Sequence, residues 1–158
     1  MDAVVAHRLA TLRGMGGIGK TRLADEVAAR VSQAFEDGVF FIELSHIQDS
    51  EAAVISELVA ALKVNPAGFP DEAAALQETL RNHRALLVLD NFEVVMSATP
   101  FVGRLLRRCS GLHMLVTSQA PLGLDGEQQI EVIPLETPPA EGSLTTELLA
   151  RFDSFQLF

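Results

Sequence analysis

The sequence predicts an α/β fold of three layers, with helices on both faces of a parallel sheet of about five strands. Three observations carry this. Short apolar runs alternate with stretches of helical periodicity along the chain. The run Leu86, Leu87, Val88, Leu89 is apolar throughout and closes on Asp90, as suits a strand buried on both faces of a parallel sheet. A glycine-rich turn stands where the first strand hands over to a helix.

Taken in order, residues 4–12 read as a first strand, interrupted by His7 and Arg8. The turn 14–19 follows. Residues 20–35 then place Leu23, Ala24, Val27, Ala28 and Val31 on one helical face. Glu36, Asp37 and Gly38 break that helix, and the apolar segment 39–44 is a second strand. A second helix starts near Ser50 and carries Val54, Ile55, Leu58, Val59 and Leu62. Asn65-Pro66 and Phe69-Pro70 punctuate a loop. Asp71 is placed to cap a third helix bearing Ala73, Leu76 and Leu80. After the 85–89 strand, Thr99-Pro100 resembles an N-cap with proline at the first helical position. Phe101, Val102, Leu105, Leu106 and Cys109 form the next helical face. Residues 113–117 are another strand and 129–133 a weaker one. Pro134, Pro138, Pro139 and Gly142 mark a linker over 134–143, and 144–158 resumes an amphipathic helix.

The composition narrows the function. A length of 158 residues suits a single domain, with 48% of the side chains apolar. There are 21 acidic and 12 basic residues, a formal charge of −9. Non-specific binding to nucleic acid or an anionic membrane needs a basic surface, so neither is expected of this domain. The lone Cys109 excludes an internal disulfide and a multi-cysteine metal cluster, and its place on an apolar face fits a packed thiol. The four histidines are scattered. The first twelve residues lack a signal peptide's apolar core, and no run approaches the ~18 apolar residues of a membrane span. A soluble, cytoplasmic protein is the expectation.

The chemistry gathers at Gly14-Met15-Gly16-Gly17-Ile18-Gly19-Lys20-Thr21. Two patterns overlap there. G-x-x-x-x-G-K-[ST] is a Walker A phosphate loop, and Gly14, Gly16 and Gly19 also satisfy the dinucleotide fingerprint G-x-G-x-x-G. Both use glycines to curl the backbone tightly against an anion held at a helix N-terminus. They diverge afterwards. Lys20 can reach the β- and γ-phosphates, and the Thr21 hydroxyl can ligate magnesium. A dinucleotide site needs instead an acid after the second strand, where Glu43 lies. Asp90 favours the phosphate loop, since a carboxylate at the tip of a neighbouring apolar strand is what a magnesium nucleotide requires.

Three segments then resemble a known family in order: Gly14 to Ala24, Leu86 to Glu93 (Leu-Leu-Val-Leu-Asp-Asn-Phe-Glu), and Leu115 to Gln119 (Leu-Val-Thr-Ser-Gln). They look like the nucleotide-binding domain of STAND signal-transduction ATPases. Within that class the chain is similar to bacterial AfsR/LuxR-type transcriptional regulators, cousins of the NB-ARC switches. The resemblance implies a P-loop NTPase core with sheet order 5-1-4-3-2, ATP or ADP with magnesium, and a slow conformational switch. It implies that Asp90 is the Walker B acid, and that the strand ending at Thr117 and Ser118 is a sensor strand between the P-loop and Walker B strands.

The implied nucleotide contacts are Gly14, Gly16, Gly17, Ile18, Gly19, Lys20, Thr21, Arg22 and Ser118. Thr21 and Asp90 would organise the metal, and Lys20, Asp90 and Glu93 would act in catalysis. Three departures accompany the likeness. Gln119 stands where the family usually has arginine, and neither Arg22 nor Arg104, Arg107 or Arg108 is an obvious substitute. Asn91 follows Asp90 where a carboxylate could orient water, leaving Glu93 as the nearby acid. The segments that hold adenine and the helical and winged-helix parts that close the site are absent, so a truncated module is expected. The leading expectation is an ATP/ADP-binding switch domain of a regulator, at most a weak ATPase. Its partners would be those other domains or regulatory proteins. A non-catalytic interaction module and a dinucleotide-binding domain are the alternatives.

Overall fold

The computed structural model describes residues 2–133. The predicted linker 134–143 and the helix after it lie outside the described residues.

The chain opens with a short helix, α1 (Asp2–Ala6), and then β1 (Leu9–Arg13). The first strand is therefore shorter than residues 4–12. Val4 lies in the helix, yet is buried at 2% exposure against one face of the sheet. An apolar residue that packs from a helix looks in sequence like one that packs from a strand. Arg8 marks the junction. Its guanidinium donates to the carbonyls of Leu106 and Cys109, at the end of the helix Thr99–Arg108, and of Leu112 just beyond it.

After the glycine turn comes α2 (Lys20–Val31), continued by a 3-10 turn at Ser32–Ala34. The helix stops before Phe35 because Phe35 turns inward, is 4% exposed, and donates its N–H to the Ser32 carbonyl. Gly38, at φ 104, then turns the chain into β2 (Val39–Glu43). Helix α3 (Glu51–Ala61) is capped by Ser50, whose hydroxyl accepts from the Ala53 N–H. Helix α4 (Glu72–Leu80) is capped by Asp71 in the same way through Ala74. Both caps satisfy amides that a helix start leaves without partners.

β3 (Leu86–Asp90) is buried along its whole length. A 3-10 segment, Phe92–Ala98, leads into α5 (Thr99–Arg108). Thr99 is not the cap expected of it. Ala98 takes that position, Thr99 is the first helical residue, and its hydroxyl is buried without a hydrogen-bond partner. The 3-10 segment supplies the preceding turn, so no side-chain cap forms. β4 (His113–Ser118) and β5 (Glu127–Glu131) complete the sheet. β5 starts two residues earlier than predicted. It pairs only with β1 among the described residues, and its polar side chains are bonded to that strand: Glu127 accepts from the Thr11 hydroxyl and Gln129 from the Arg13 guanidinium.

The five strands are all parallel and lie in the order β2-β3-β4-β1-β5. This is the order implied by the family resemblance, read from the other edge. Two apolar clusters cover the two faces. One joins α3, α4 and α5 to Leu87, Leu89, Met114 and Val116. The other joins α1 and α2 to Ala10, Leu12, Leu86, Val88 and Leu115. Alternate residues of β3 thus serve opposite layers, which explains its unbroken apolar run. No helix among the described residues is long and apolar enough to cross a membrane.

The order has a consequence for function. β1, β4 and β3 are neighbours, so the turn after β1, the end of β4 and the end of β3 all open on one edge. β2 is separated from β1 by two strands.

Candidate functional site

The turn after β1 is shaped by glycine where the backbone demands it. Gly17 (φ 77) and Gly19 (φ 97) occupy the left-handed region that other residues adopt at a cost. Gly14 is needed for a different reason. A Cβ there would stand 2.9 Å from the Val132 carbonyl oxygen and 3.2 Å from the Ile18 side chain. Gly16 has ordinary space, with Gln119 Nε2 at 3.7 Å from such a Cβ.

Gly19 is also the N-cap of α2, with no side chain to cap the helix and no acid in the first turn. The first amides of α2 are therefore left for an outside acceptor, and the dipole end they form favours an anion. Lys20, only 6% exposed, folds over the turn. Its Nζ donates to the carbonyls of Gly14 at 2.9 Å and Met15 at 3.0 Å. Two of its three donors are so engaged.

Thr21, one residue on, donates to Asp90 Oδ2 at 2.9 Å and lies 3.0 Å from Oδ1. Asp90 is 2% exposed at the end of β3. It also accepts from Thr117 Oγ1 at 2.5 Å and from Asn91 Nδ2 at 3.4 Å. Thr117 Oγ1 in turn accepts from the Asn91 N–H at 2.9 Å. A buried carboxylate needs such donors. Thr117 is not among the site residues that the sequence motifs indicate. A hydroxyl closing the apolar run of β4, beside the Asp90 strand, is the signal that could have found it.

A cleft of about 680 Å³ opens over this turn, lined by Gly16, Gly17, Gly19, Lys20, Thr21 and Arg22. Asp25 and Phe41 add to its wall, as do Asn91 and Glu93. Asn91 adopts φ 59, and that left-handed turn starts the 3-10 segment carrying Glu93. Glu93 Oε1 accepts from Gln119 Nε2 at 3.3 Å, while its Oε2 is buried with no partner. Ser118 is buried. Its carbonyl accepts from the Gly14 N–H at 3.4 Å and its hydroxyl from the Ala120 N–H at 3.2 Å. Ile18 is half-buried beneath the turn, against Gly14. The predicted residues therefore converge on one edge, with Asp90 and Ser118 buried, and Gly14 and Ile18 also set back from the cleft wall.

Glu43 does not join them. It pairs in register with Asp90 on the far strand, and its carboxylate accepts from Ser45 Oγ at 2.7 Å. A dinucleotide fold sets its second strand beside its first. Here three strand spacings, roughly 14 Å at ~4.8 Å each, separate β2 from β1. The dinucleotide reading does not fit this sheet.

The arrangement agrees with comparison to known proteins. The model of the NACHT domain matches residues 8–150. The chain belongs to the NACHT-domain family. It is a P-loop NTPase domain of the STAND class, as its motifs implied. Among relatives, a putative HTH-type transcriptional regulator of Mycobacterium tuberculosis is 38% identical over 134 residues. The regulatory protein AfsR of Streptomyces coelicolor is 32% identical over 118 residues. The match takes in 80% and 70% of this chain, but only 14% and 12% of those regulators.

Two solved structures share the fold of this NACHT domain. The crystal structure of Cdc6p from Pyrobaculum aerophilum has a TM-score of 0.61 at 21% identity, covering 78% of this chain and 38% of that one. A STAND protein with a tetratricopeptide repeat sensor from Pyrococcus horikoshii has a TM-score of 0.53 at 16% identity, covering 82% and 22%.

Proposed function

We propose that this NACHT domain binds ATP and ADP with magnesium and acts as a slowly hydrolysing switch in a transcriptional regulator. The observation that carries the reading is the meeting of Lys20, Thr21 and Asp90 at an uncapped helix N-terminus. The backbone amides of residues 17–20 would hold phosphate oxygens, and Lys20 would turn toward the β- and γ-phosphates.

The fit to a metal is partial by design. Among the described residues no three His, Cys, Asp or Glu gather to hold an ion. Thr21 and Asp90 would supply two oxygens, one through water, with phosphates and water completing the set, as magnesium prefers. The bound ion would supply charge neutralisation at the phosphates. Glu93, whose side chain lines the cleft, is the nearby acid suited to accept a proton from an attacking water. Gln119 can donate to a phosphate but brings no positive charge. Losing one such transition-state contact costs about 10²–10³ in rate, so turnover should be slow.

The relatives' greater length supports a working unit in which other domains act as partners and respond to the nucleotide state. With a net charge of −9, this domain would leave DNA binding to them and work in the cytoplasm.

Calorimetric titration of the domain with ATP and ADP, with and without magnesium, tests the reading. A hydrogen bond to a charged group contributes about 1.5–3 kcal/mol. Lys20→Ala should therefore weaken affinity roughly ten- to hundred-fold, and Asp90→Asn should remove the magnesium dependence. Absence of binding at millimolar nucleotide would leave the site vestigial and the domain an interaction module.

A further inference from the structure

Among the described residues the sheet ends in two edge strands, β2 and β5, and they differ in kind. β5 reads Glu-Gln-Gln-Ile-Glu. β2 reads Val-Phe-Phe-Ile-Glu, and its pairing with β3 runs without a bulge. Edge strands are usually guarded by charge, proline or a bulge, because their unpaired backbone groups are a template for another strand. Val39 to Ile42 carry none of these guards, and Phe41 is 42% exposed.

The backbone groups left open follow from those in use. The Gly38 carbonyl accepts from the Leu86 N–H at 3.1 Å, and the Leu44 N–H donates to the Asp90 carbonyl at 3.0 Å. Backbone groups alternate sides along a strand, so Gly38, Phe40, Ile42 and Leu44 face β3. Val39, Phe41 and Glu43 therefore turn their N–H and C=O groups outward. None of these groups is bonded among the described residues.

We propose that β2 is a self-pairing edge: two copies of the chain join through antiparallel β2 strands about a twofold axis at Phe41, forming one continuous sheet. The open groups set the register. With Phe41 opposite Phe41 of the second copy, Val39 stands opposite Glu43 and Glu43 opposite Val39. All three meet as hydrogen-bonded pairs, so every outward N–H finds a carbonyl. On the other face of the sheet, Phe40 meets Ile42 of the second copy.

The side chains agree with that register. Two phenylalanines meet at the axis, and the half-buried Phe40 gains an apolar neighbour. No carboxylate faces a carboxylate, since Glu43 stands against Val39. The same operation on β5, centred on Gln129, sets Glu127 against Glu131, and like charges directly opposite are destabilising. Of the two edges, β2 alone is self-complementary, as a twofold interface requires. The paired strands run in opposite directions, so the two phosphate turns open at opposite edges of the joined sheet.

The interface is small. A five-residue strand gives less than the ~800 Å² per partner of a standard interface. The charge of −9 on each copy also opposes association, less so as salt screens it. A dissociation constant of about 10–100 µM is expected at physiological salt.

Sedimentation equilibrium of the full chain, from about 5 µM to about 1 mM, tests this. A monomer–dimer equilibrium is the expected result. Open-ended association would mean head-to-tail packing and would overturn the proposal. A chain still monomeric at about 1 mM would leave the edge to a strand of another protein, and would overturn it too. Phe41→Lys sets two ammonium groups against each other at the axis and should weaken the dimer by about ten-fold or more. Val39→Lys sets each ammonium against Glu43 of the second copy and should leave the dissociation constant within about three-fold. The opposite ranking would overturn the register. Phe41→Cys, oxidised where the parent is dimeric, should give a covalent dimer. Facing residues of such a pair lie about 5.5 Å apart at Cα, within disulfide reach. Cys109 is buried and does not compete. An oxidised sample that stays monomeric would place the axis elsewhere and sink the proposal. Thermal unfolding checks that each variant is folded, and Phe41→Cys keeps the test decisive if Phe41→Lys is not. These readouts need no nucleotide, so they stand apart from the ATP-binding reading.

Discussion

Thr117 donates its hydroxyl to Asp90 Oδ1 at 2.5 Å, and both side chains are buried at the ends of adjacent parallel strands. Through the same oxygen, Thr117 accepts the N–H of Asn91. One hydroxyl thus fixes the carboxylate and starts the turn that carries Glu93.

Thr117→Val should therefore do two things. It strands an Asp90 lone pair and the Asn91 amide, and unsatisfied buried groups cost about 1–3 kcal/mol each. A urea midpoint lowered accordingly, with magnesium-dependent nucleotide affinity falling as Asp90 loses its orientation, is the expected outcome. Thr117→Ser should recover both. A valine variant of unchanged stability would show that Asp90 does not depend on this donor.

The glycines of the phosphate turn should differ in tolerance. Gly14→Ala places a methyl 2.9 Å from the Val132 carbonyl, which must move. Gly19→Ala forces a side chain into φ 97, at roughly 1–2 kcal/mol. Gly16→Ala meets only the end of Gln119 at ordinary contact distance, so its stability should change by less than about 0.5 kcal/mol. Denaturation of the three variants in parallel checks this ranking.

Arg8 is a staple between the start of β1 and the end of α5. Its guanidinium donates to three main-chain carbonyls. Arg8→Leu leaves the last carbonyls of α5 short of donors and should destabilise the domain by about 2–3 kcal/mol. Arg8→Lys should recover only part of this, since an ammonium lacks the planar fork. Nucleotide affinity, measured well below the unfolding transition, should not change.

Cys109 is fully buried, its thiol facing the Gln77 carbonyl at 3.6 Å, and burial raises its pKa above the ordinary value of 9.0. The folded state therefore disfavours the thiolate. Its contribution to stability is intact below pH 9 and declines as the pH rises above the unfolded value. A thiol reagent at pH 8 should label the native domain far more slowly than the urea-unfolded chain. Prompt labelling of native protein would contradict the packing of α5 against α4.

Much of this was legible in the sequence. The unbroken apolar run of β3 announced burial on both sides, and Ser50 and Asp71 announced two helix starts, because these signals are local and each uses one physical rule. What misled was also local. Val4 looked like strand because burial, not conformation, selects valine. Thr99-Pro100 looked like a cap because the 3-10 segment that replaces the cap has no strong signature of its own. The polar β5 was displaced by two residues because an edge strand is held by its backbone.

The sequence by itself determined the chemistry on offer: a glycine turn before Lys20 and Thr21, and an acid ending an apolar strand. Those groups are written within short stretches whose backbone needs are set residue by residue. Only the tertiary structure decided which groups meet. By inserting β4 and β3 between β1 and β2, the sheet brought Asp90 to Thr21 and carried Glu43 away. It also joined Gln119 to Glu93, 26 residues apart. Strand order is fixed by the packing of whole layers, and no single residue encodes it.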